Sequence, residues 1–338
     1  MRNFFALVMS MAMLFAPGAS GAEAYLGEGA DGDSTRSAYV IDSAADLTLL
    51  RNRVNAGREP DGKHYRLGAD VDIRSEKEWA PIGTETHPFK GHFDGGGRAV
   101  RVDIDRGGED AGLFGAVDSA GGNAVSNLNV TGTVRGGRAG GIVVSIKGGV
   151  IQNCGFSGTL EGRSRAGGIV AVAGLSSVVN ECSFSGTARA SGASSAVGGI
   201  AGQIDREVRR CPVSAGSMVS ASGRGSAAGG IVGFARHGAS VLYCASHASI
   251  EGAAHQGGIA GIAVLTTNGI KGNSFTGADR EVGWVDDLKM DDAPSTAEEI
   301  HDALCGPEGE GGLCDAGAGS LCLLAVGGLA ALRFFRRK

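Results

Sequence analysis

A glycine-rich motif that recurs at regular intervals constrains the fold more than any other feature of this chain. Gly-Gly followed by Ile occurs five times, and residues 111–115 hold a degenerate earlier copy. The second glycines are spaced 27 to 31 residues apart, at Gly112, Gly141, Gly168, Gly199, Gly230 and Gly258. A V/I-x-x-C-x-F mark and a Gly-Thr mark keep the same register. Three marks in register indicate a repeat protein.

Each copy has the pattern of one coil of a parallel β-helix. A copy of about 28 residues holds three short apolar segments separated by Gly, Ser and Asn, without a ten-residue helical period. Such coils stack at about 4.8 Å, so each mark should form a ladder along the stack. The Gly pair predicts a tight corner at which a Cβ would clash or φ must be positive. We therefore expect an all-β, parallel β-helix (solenoid) over residues 111–278.

The region before the repeats predicts an N-terminal cap and the first coils, over residues 38–110. A strand at residues 39–41 precedes Ser43, which starts a helix with Asp46 in a capping-box position. Leu47, Leu50 and Val54 lie on one face of that helix, and a glycine at position 57 fits its end. We expect residues 38–75 to cover the open end of the stack, and residues 76–110 to form irregular coils.

Both ends of the chain carry the pattern of an exported, anchored protein. Residues 1–24 have the order of a secretory signal peptide, with cleavage after Ala24 or Ala22, and residues 25–37 form a polar, flexible lead. Residues 279–313 are an acidic segment and linker. Residues 314–338 include an uncharged run, 316–332, followed by an Arg-rich end, which is typical of a membrane anchor with a cytoplasmic terminus.

Residues 38–278 resemble the GLUG-motif repeat proteins of bacterial surfaces. The resemblance is carried by Asp46-Leu47, Trp79-Ala80-Pro81-Ile82-Gly83, Phe93-Asp94-Gly95, Gly112-Leu113-Phe114-Gly115 and the later Gly-Gly-Ile copies. It implies a secreted or surface-displayed, adhesin-like β-helix. Some members of this family are fused to peptidase domains, but this chain has no H-E-x-x-H motif.

The C-terminal tail resembles a Synergist-type sorting signal. The residues that carry this resemblance are 314–320, the apolar run after them and the Arg-rich end, although Cys322 and Phe334-Phe335 depart from the usual pattern. The resemblance implies recognition by a membrane-embedded sorting enzyme and delivery to the cell surface, while the N-terminal signal makes signal peptidase a further expected partner. The expected processing and anchor residues are Ala24, Cys314, Arg336 and Arg337.

Four cysteines occupy one repeat position, which holds Leu128 in an earlier copy. Those cysteines are Cys154, Cys182, Cys211 and Cys244. Neighbouring coils would bring their Cα atoms within disulfide range. An exported protein could therefore form the disulfides Cys154–Cys182 and Cys211–Cys244. Ladder side chains point the same way rather than at each other, and buried Cys behaves as a small hydrophobe. We expect four buried thiols.

A set of arginines precedes the Gly-Gly marks and could line one corner of the stack. They are Arg135, Arg138, Arg163, Arg165, Arg189 and Arg224, with His255 in the equivalent stretch. The repeats carry a net charge of +6 over residues 111–278, whereas residues 279–315 carry −10. The arginines could attract an acidic glycan, or they could simply keep the surface soluble. The whole chain has a formal charge of −5, so its net charge does not indicate nucleic-acid binding.

Acidic residues do not form an evident catalytic set. Glu161 and Glu251 share a repeat position but lie three coils apart, about 14 Å at strand spacing, which exceeds the ~5–9.5 Å of glycosidase pairs. Asp103 and Asp105 share one face of a strand and could hold Ca²⁺, or they could form a polar outer face. We expect no cofactor and no metal.

The sequence therefore predicts a non-catalytic, exported cell-surface β-solenoid with an adhesin-like or structural role. Possible partners are a host or cell-wall glycan or protein, and the membrane through the C-terminal tail. Two alternatives stay open. One is a secreted carbohydrate-active β-helix enzyme, and the other is an acidic-glycan-binding module that uses the arginines.

Overall fold

Two large parallel sheets wind around one another to form a solenoid of about eight turns. The structure, a computed structural model, describes residues 30–286 apart from residues 237 and 265–268. Each sheet contains 13 of the described strands, and strands from successive coils pair side by side in parallel. The predicted all-β parallel solenoid is confirmed.

The strands and the one helix of the described region have short bounds that follow the repeat. The first coils contain β1 Tyr39–Ile41, α1 Ala44–Asn55, β2 His64–Leu67, β3 Val71–Asp72, β4 His92–Asp94 and β5 Ala99–Asp105. The long strands that follow are β6 Phe114–Ser126, β7 Asn129–Gly140, β8 Val143–Gln152, β9 Gly155–Gly167, β10 Val170–Asn180 and β11 Ser183–Ala190.

The later coils use shorter strands. They are β12 Ala196–Gly198, β13 Ala201–Ile204, β14 Glu207–Arg209, β15 Pro212–Val213, β16 Met218–Ala221, β17 Ala227–Gly229, β18 Val232–Ala235, β19 Ser240–Leu242 and β20 Ala245–Ser246. The last are β21 Ser249–Glu251, β22 His255–Gly257, β23 Ala260–Val264, β24 Ile270–Lys271, β25 Ser274–Phe275 and β26 Val282–Asp286.

Each coil crosses both sheets and passes from one sheet to the other at two corners, and the later coils also turn within a sheet, as between β11 and β12. In one coil, β8 belongs to the first sheet and β9 to the second. The Gly-Gly corner, residues 140–142 and their equivalents, leads into the first sheet, and the cysteine corner, residues 153–154 and their equivalents, leads into the second. The three sequence marks therefore fall at fixed places in every coil.

The Gly-Gly corner needs glycine for space rather than for its backbone angles. The second glycine of each pair does not have a positive φ. A Cβ on Gly168 would lie 2.3 Å from the ring of Phe184 and 2.2 Å from the carbonyl oxygen of Gly199. The corner glycines thus pack directly against the phenylalanine ladder inside and the next corner along the stack.

The cysteine corner turns through a left-handed residue in every coil, which the sequence marks do not reveal. The position before Leu128 and before each of the four cysteines has a φ of +52° to +55°, at Asn127, Asn153, Glu181, Arg210 and Tyr243. Asn is one of the few residues that adopts this conformation readily, whereas Glu, Arg and Tyr do so at a cost. The corner geometry is therefore imposed by stacking and not by local preference.

The buried interior is a series of one-residue ladders. Ile151, Val179 and Val208 stack in the first sheet, and Val130, Phe156 and Phe184 stack in the second. The two phenylalanine rings are parallel, with centroids 6.2 Å apart. The same ladders are fully buried in coil after coil.

The predicted cysteine ladder is a column of buried free thiols. All four cysteines are buried and unbonded to one another. The Cys182 backbone N–H donates to the Cys211 sulfur at 3.4 Å, and the Cys211 N–H donates to the Cys244 sulfur at 3.4 Å. Asn273 ends the column, because its side-chain oxygen accepts from the Cys244 N–H at 2.8 Å. Burial raises the pKa of Cys182, which keeps that thiol protonated.

The N-terminal region forms the first coils of the stack, and its helix packs against the main core. Strands β1 and β2 pair in parallel, and β2 pairs with β4, so the ladder of the first sheet already begins at Tyr39. Helix α1 begins after its cap Ser43, whose hydroxyl accepts from the Asp46 N–H, and it buries the expected Leu47, Leu50 and Val54. Gly57, just beyond the helix, has a φ of +66°.

Several predicted segments lie outside the described residues. These are the signal peptide, residues 25–29 of the flexible lead, the acidic segment beyond residue 286 and the tail at 314–338. In the part of the chain that the structure covers, no helix has the length and apolar character needed to span a membrane.

Candidate functional site

A second line of contacts between the two sheets lies outside the core. Gly202 of β13 packs against Ala166 of β9, and a Cβ at position 202 would lie 2.9 Å from the Ala166 nitrogen. This close approach brings outward side chains of the two sheets together. We call this line the outer seam. Its residues are Arg138, Arg165, Ala196, Ala227 and His255 on the second sheet, and Ser145, Val172, Gln203, Phe234, Ile262 and Trp284 on the first sheet.

The six predicted arginines do not line one corner, because four of them lie in two columns and the other two lie in turns. Arg138 and Arg165 are register partners on the outer seam, and His255 is in the same column. Arg135 and Arg189 occupy a second column on the outer face of the second sheet. Arg163 and Arg224 lie in the turns between these columns, where both are exposed.

The second of these columns alternates in charge along most of its length. Its successive members are Asp105, Arg135, Glu161, Arg189, Ser220 and Glu251. The Arg135 guanidinium lies 3.1 Å from the Glu161 carboxylate, and both side chains are about 40% exposed, at 42% and 39%. Exposed pairs of this kind contribute little to stability, about 0–1 kcal/mol. Glu161 is therefore already engaged by a neighbouring coil.

Arg138 is neutralised where the seam begins. Its Nε donates to Asp110 at 2.9 Å, and Glu85 lies 3.6 Å from the guanidinium. The hydrogen bond to Asp110 raises the pKa of Arg138. Lys147 in turn contacts Glu85 at 2.7 Å. Arg138, Asp110 and Glu85 line a cavity of about 490 Å³, in which both carboxylates face Arg138.

Arg165, one coil further along, has a different environment. It is half-buried, and its Nε donates to the Gln203 side-chain oxygen at 3.0 Å. Its Nη1 donates to the carbonyls of Ser164 and Ser194 at 3.0 and 3.1 Å. Within the described residues, no carboxylate lies within ion-pair distance of this guanidinium. Burial, with a smaller contribution from the charge of Arg236, lowers the pKa of Arg165 to about 10.

Gln203 separates Arg165 from the nearest acid of this network. Its amide nitrogen donates to Asp205 at 3.2 Å, while its oxygen accepts from Arg165. Asp205 also lies 3.5 Å from Arg236, whose side chain is 45% exposed. Arg165, Gln203, Asp205 and Arg236 thus form one polar cluster on the seam, with two cations and one anion.

The rest of the seam is apolar. Ala196, Ala227 and Phe234 form a small cluster separate from the main core, and Ile262 packs against it. Beyond that cluster, the rings of His255 and Trp284 lie 5.4 Å apart, and Trp284 is 46% exposed. The seam therefore changes from charged to apolar toward its C-terminal end.

The other candidate groups are placed as follows. Glu161 and Glu251 share one column and are three coils apart, as the repeat spacing predicts. Asp103 lies 3.9 Å from Lys77. Within the described part of the chain, no three His, Cys, Asp or Glu side chains are grouped to hold a metal ion. Ala24, Cys314, Arg336 and Arg337 lie outside the described residues.

Three members of the polar cluster were missed by sequence reasoning, namely Gln203, Asp205 and Arg236. The sequence did contain a signal for Gln203, namely its fixed position in the repeat. Gln203, Phe234 and Ile262 each stand four residues after the second glycine of a Gly-Gly pair. This position is outward on the first sheet, and its side chains vary in size and polarity along the stack.

The chain matches known proteins only in part. No protein-family model matches it. A "Putative Gly-rich membrane protein" of Evansella cellulosilytica is 35% identical over 121 residues, covering 32% of this chain and 13% of the relative. "Halomucin" of Haloquadratum walsbyi is 36% identical over 124 residues, covering 32% of this chain and 1% of the relative. The chain thus spans a small part of the length of these relatives.

Among solved structures, the chain is similar to one described as a putative immunoglobulin A1 protease from Bacteroides ovatus. The two share 21% identity with a TM-score of 0.55, over 80% of this chain and 88% of the other. At this level of identity the likeness shows a common fold, which here is the parallel β-solenoid.

Proposed function

We propose that this chain is an exported, surface-attached β-solenoid with a structural or adhesin-like role and no catalytic activity. The observation that carries the proposal is the continuous register of the stack. The same outward positions recur from coil to coil, so the molecule presents extended columns of side chains rather than one pocket. Extended repeated surfaces are what solenoid proteins use for contact with other macromolecules.

The partial relatives support an envelope location. One is named as a membrane protein and the other as a halomucin, and each aligns with about a third of this chain. The signal-like first 24 residues and the apolar, Arg-ended tail agree with export and retention. In this proposal signal peptidase and a membrane-embedded sorting enzyme process the two ends, and the repeat body faces outward.

The experiment that tests the proposal is fractionation of cells that produce either the full chain or a chain lacking residues 314–338. We expect the full chain in the envelope fraction, accessible to added protease, and the shortened chain in the medium. Retention of the shortened chain by the cells would show that the tail is not the anchor. The Cys314→Ala variant separates processing from simple anchoring, since unchanged mass and retention would exclude a processing role for that thiol.

A carbohydrate-active enzyme is the alternative that the same protein can test. In the column of Glu161 and Glu251, three coil steps separate the two acids, about 14 Å at strand spacing, and Glu161 is paired with Arg135. We expect purified protein to release no reducing sugar or unsaturated product from acidic or neutral polysaccharides. Release that is lost in Glu161→Gln would overturn the non-catalytic assignment.

A further inference from the structure

Arg165 is the feature of the outer seam that the solenoid architecture alone does not explain. A guanidinium withdrawn from water costs free energy unless an opposite charge compensates it. The neighbouring Arg138, in the same column, has Asp110 and Glu85 for this purpose. The acceptors of Arg165 are two carbonyls and one amide oxygen, all of them neutral.

The geometry around Arg165 also holds its charge in place. Two carbonyl acceptors fix the guanidinium from the turn side, and Gln203 fixes it from the facing sheet. The second cation, Arg236, directly follows β18 of the first sheet and is partly exposed. Its only acidic neighbour within the described residues is Asp205, at 3.5 Å, which is long for a charged hydrogen bond.

We propose that Arg165 and Arg236, with Gln203 between them, bind an oxyanion at the surface of the outer seam. The Nη2 group of Arg165, for which the described residues provide no acceptor, and the guanidinium of Arg236 offer charged N–H donors that suit sulfate, phosphate and carboxylate oxygens. An incoming oxyanion supplies the negative charge that Arg165 lacks and competes with Asp205 for Arg236. The oxyanion is the sulfate or carboxylate substituent of an acidic surface glycan, and this identification of its source rests on the proposed function.

The test uses the full chain and inorganic sulfate as the probe. Isothermal titration should show saturable binding, and Arg165→Gln should weaken it about tenfold to a hundredfold, the value of one or two charge-assisted hydrogen bonds. Arg163→Gln is the matched control, because that arginine is two residues away, exposed and outside the cluster. It should leave sulfate binding unchanged. Circular dichroism checks that each variant keeps its strand content.

Asp205→Asn gives a second and independent prediction. Removing the carboxylate that holds Arg236 should tighten sulfate binding, because the anion no longer competes with Asp205. If Asp205 is instead the structural counter-ion of the cluster, the variant will melt at a lower temperature and its sulfate affinity will not rise. That result would overturn the proposal.

Two further outcomes decide the matter. The absence of saturable sulfate binding, or equal binding by the native chain and Arg165→Gln, would refute the oxyanion site. Binding of a sulfated polysaccharide and of polygalacturonate, each compared between the native chain and Arg165→Gln, distinguishes a sulfate source from a carboxylate source. None of these measurements depends on where the protein is located, so failure of the fractionation experiment and failure of this site are separate results.

Discussion

The first coils and the later repeats form the same solenoid, but the first coils bury large aromatic side chains and the repeats bury mainly small ones. The region up to Phe114 buries Trp79, Tyr65, Phe89 and Phe93, and the Phe89 and Phe93 rings both contact Phe114, with centroids 5.3 and 5.2 Å away. The repeats bury Gly, Ala, Val and Ile in ladders, with few rings. The first region is held by irregular, individually shaped contacts, and the second by the close approach of backbones.

This difference predicts where each region is sensitive to substitution. Where large side chains fill the interior, loss of a side chain leaves a cavity. Where backbones touch, addition of a side chain is the damaging change. Four measurements test this contrast, and they follow in order of decreasing expected effect.

The largest effect should come from Gly168→Val in the repeats. A Cβ at this position meets the Phe184 ring at 2.3 Å and the Gly199 carbonyl oxygen at 2.2 Å, and the backbone contact cannot move away without separating two coils. We expect a loss of more than about 4 kcal/mol in the free energy of unfolding, or no folded protein. Chemical denaturation followed by circular dichroism measures it.

Gly108→Ala is the control for that variant. Its Cβ would meet only the tip of Arg163, at 3.9 Å, and the position does not require a positive φ. We expect a change within about 0.5 kcal/mol, as for ordinary surface positions. If the two variants were equally stable, the corner glycines would not be needed for space.

The second measurement compares Trp79→Ala in the first coils with Phe184→Val in the repeats. Trp79 is fully buried, and its Nε1 donates to the Leu113 carbonyl at 3.1 Å. We expect Trp79→Ala to lower the free energy of unfolding by about 3–5 kcal/mol. Phe184 belongs to a ladder that already accepts Val213 in the next coil, so its replacement by Val should cost roughly half as much. Equal losses would remove the distinction between the two regions.

The third measurement concerns the thiol column of the repeats. Cys211→Val keeps the apolar volume but removes the acceptor of the Cys182 N–H, so it should cost about 1–3 kcal/mol. Cys211→Asn should cost less, because an asparagine side chain can replace the lost acceptor. Asn273 shows this in the last coil, where it accepts from the Cys244 N–H and donates to the Val241 carbonyl at 2.9 Å. Thermal denaturation of both variants ranks them, and the reverse order would show that packing outweighs the hydrogen bonds.

The smallest effect is a pH dependence to which His64 of the first coils contributes, and to which His255 of the repeats adds in the same direction, because burial lowers the pKa of His255 as well. His64 stacks on His92 with ring centroids 4.5 Å apart, and burial, followed by the charge of His92, lowers the pKa of His64. The unfolded chain therefore binds this proton first, so stability is complete above about pH 6.5 and falls as the pH drops toward the lowered folded value. His64→Asn should flatten this slope between pH 7 and 5. An unchanged slope would assign the effect to other groups.

The sequence marks predicted the ladders because each mark is tied to one place in the coil. Gly141, Cys154 and Phe156 all fall where the repeat register puts them, and the helix from Ser43 follows from its own capping residues. The left-handed corner was not predictable from residues such as Glu181 and Tyr243, whose types disfavour that conformation.

The outer seam was not predictable for a different reason. Whether Arg165 contacts Gln203 depends on how closely the two sheets approach at Gly202, a distance that no local pattern contains. The charge pairing of Arg135 and Arg138 likewise depends on residues one coil away, Glu161 and Asp110. The arginines were recognised as a group, but which of them lacks a counter-ion required the register of both sheets.

The uniform register of the repeats has a consequence for how such genes change length. Each coil is joined to its two neighbours by the same ladders, so an in-frame duplication of one copy creates a new layer whose upper and lower surfaces already match. Unequal crossing-over between copies would lengthen or shorten the molecule in steps of about 4.8 Å without a new core having to evolve. The same coil can thus recur in chains of very different length.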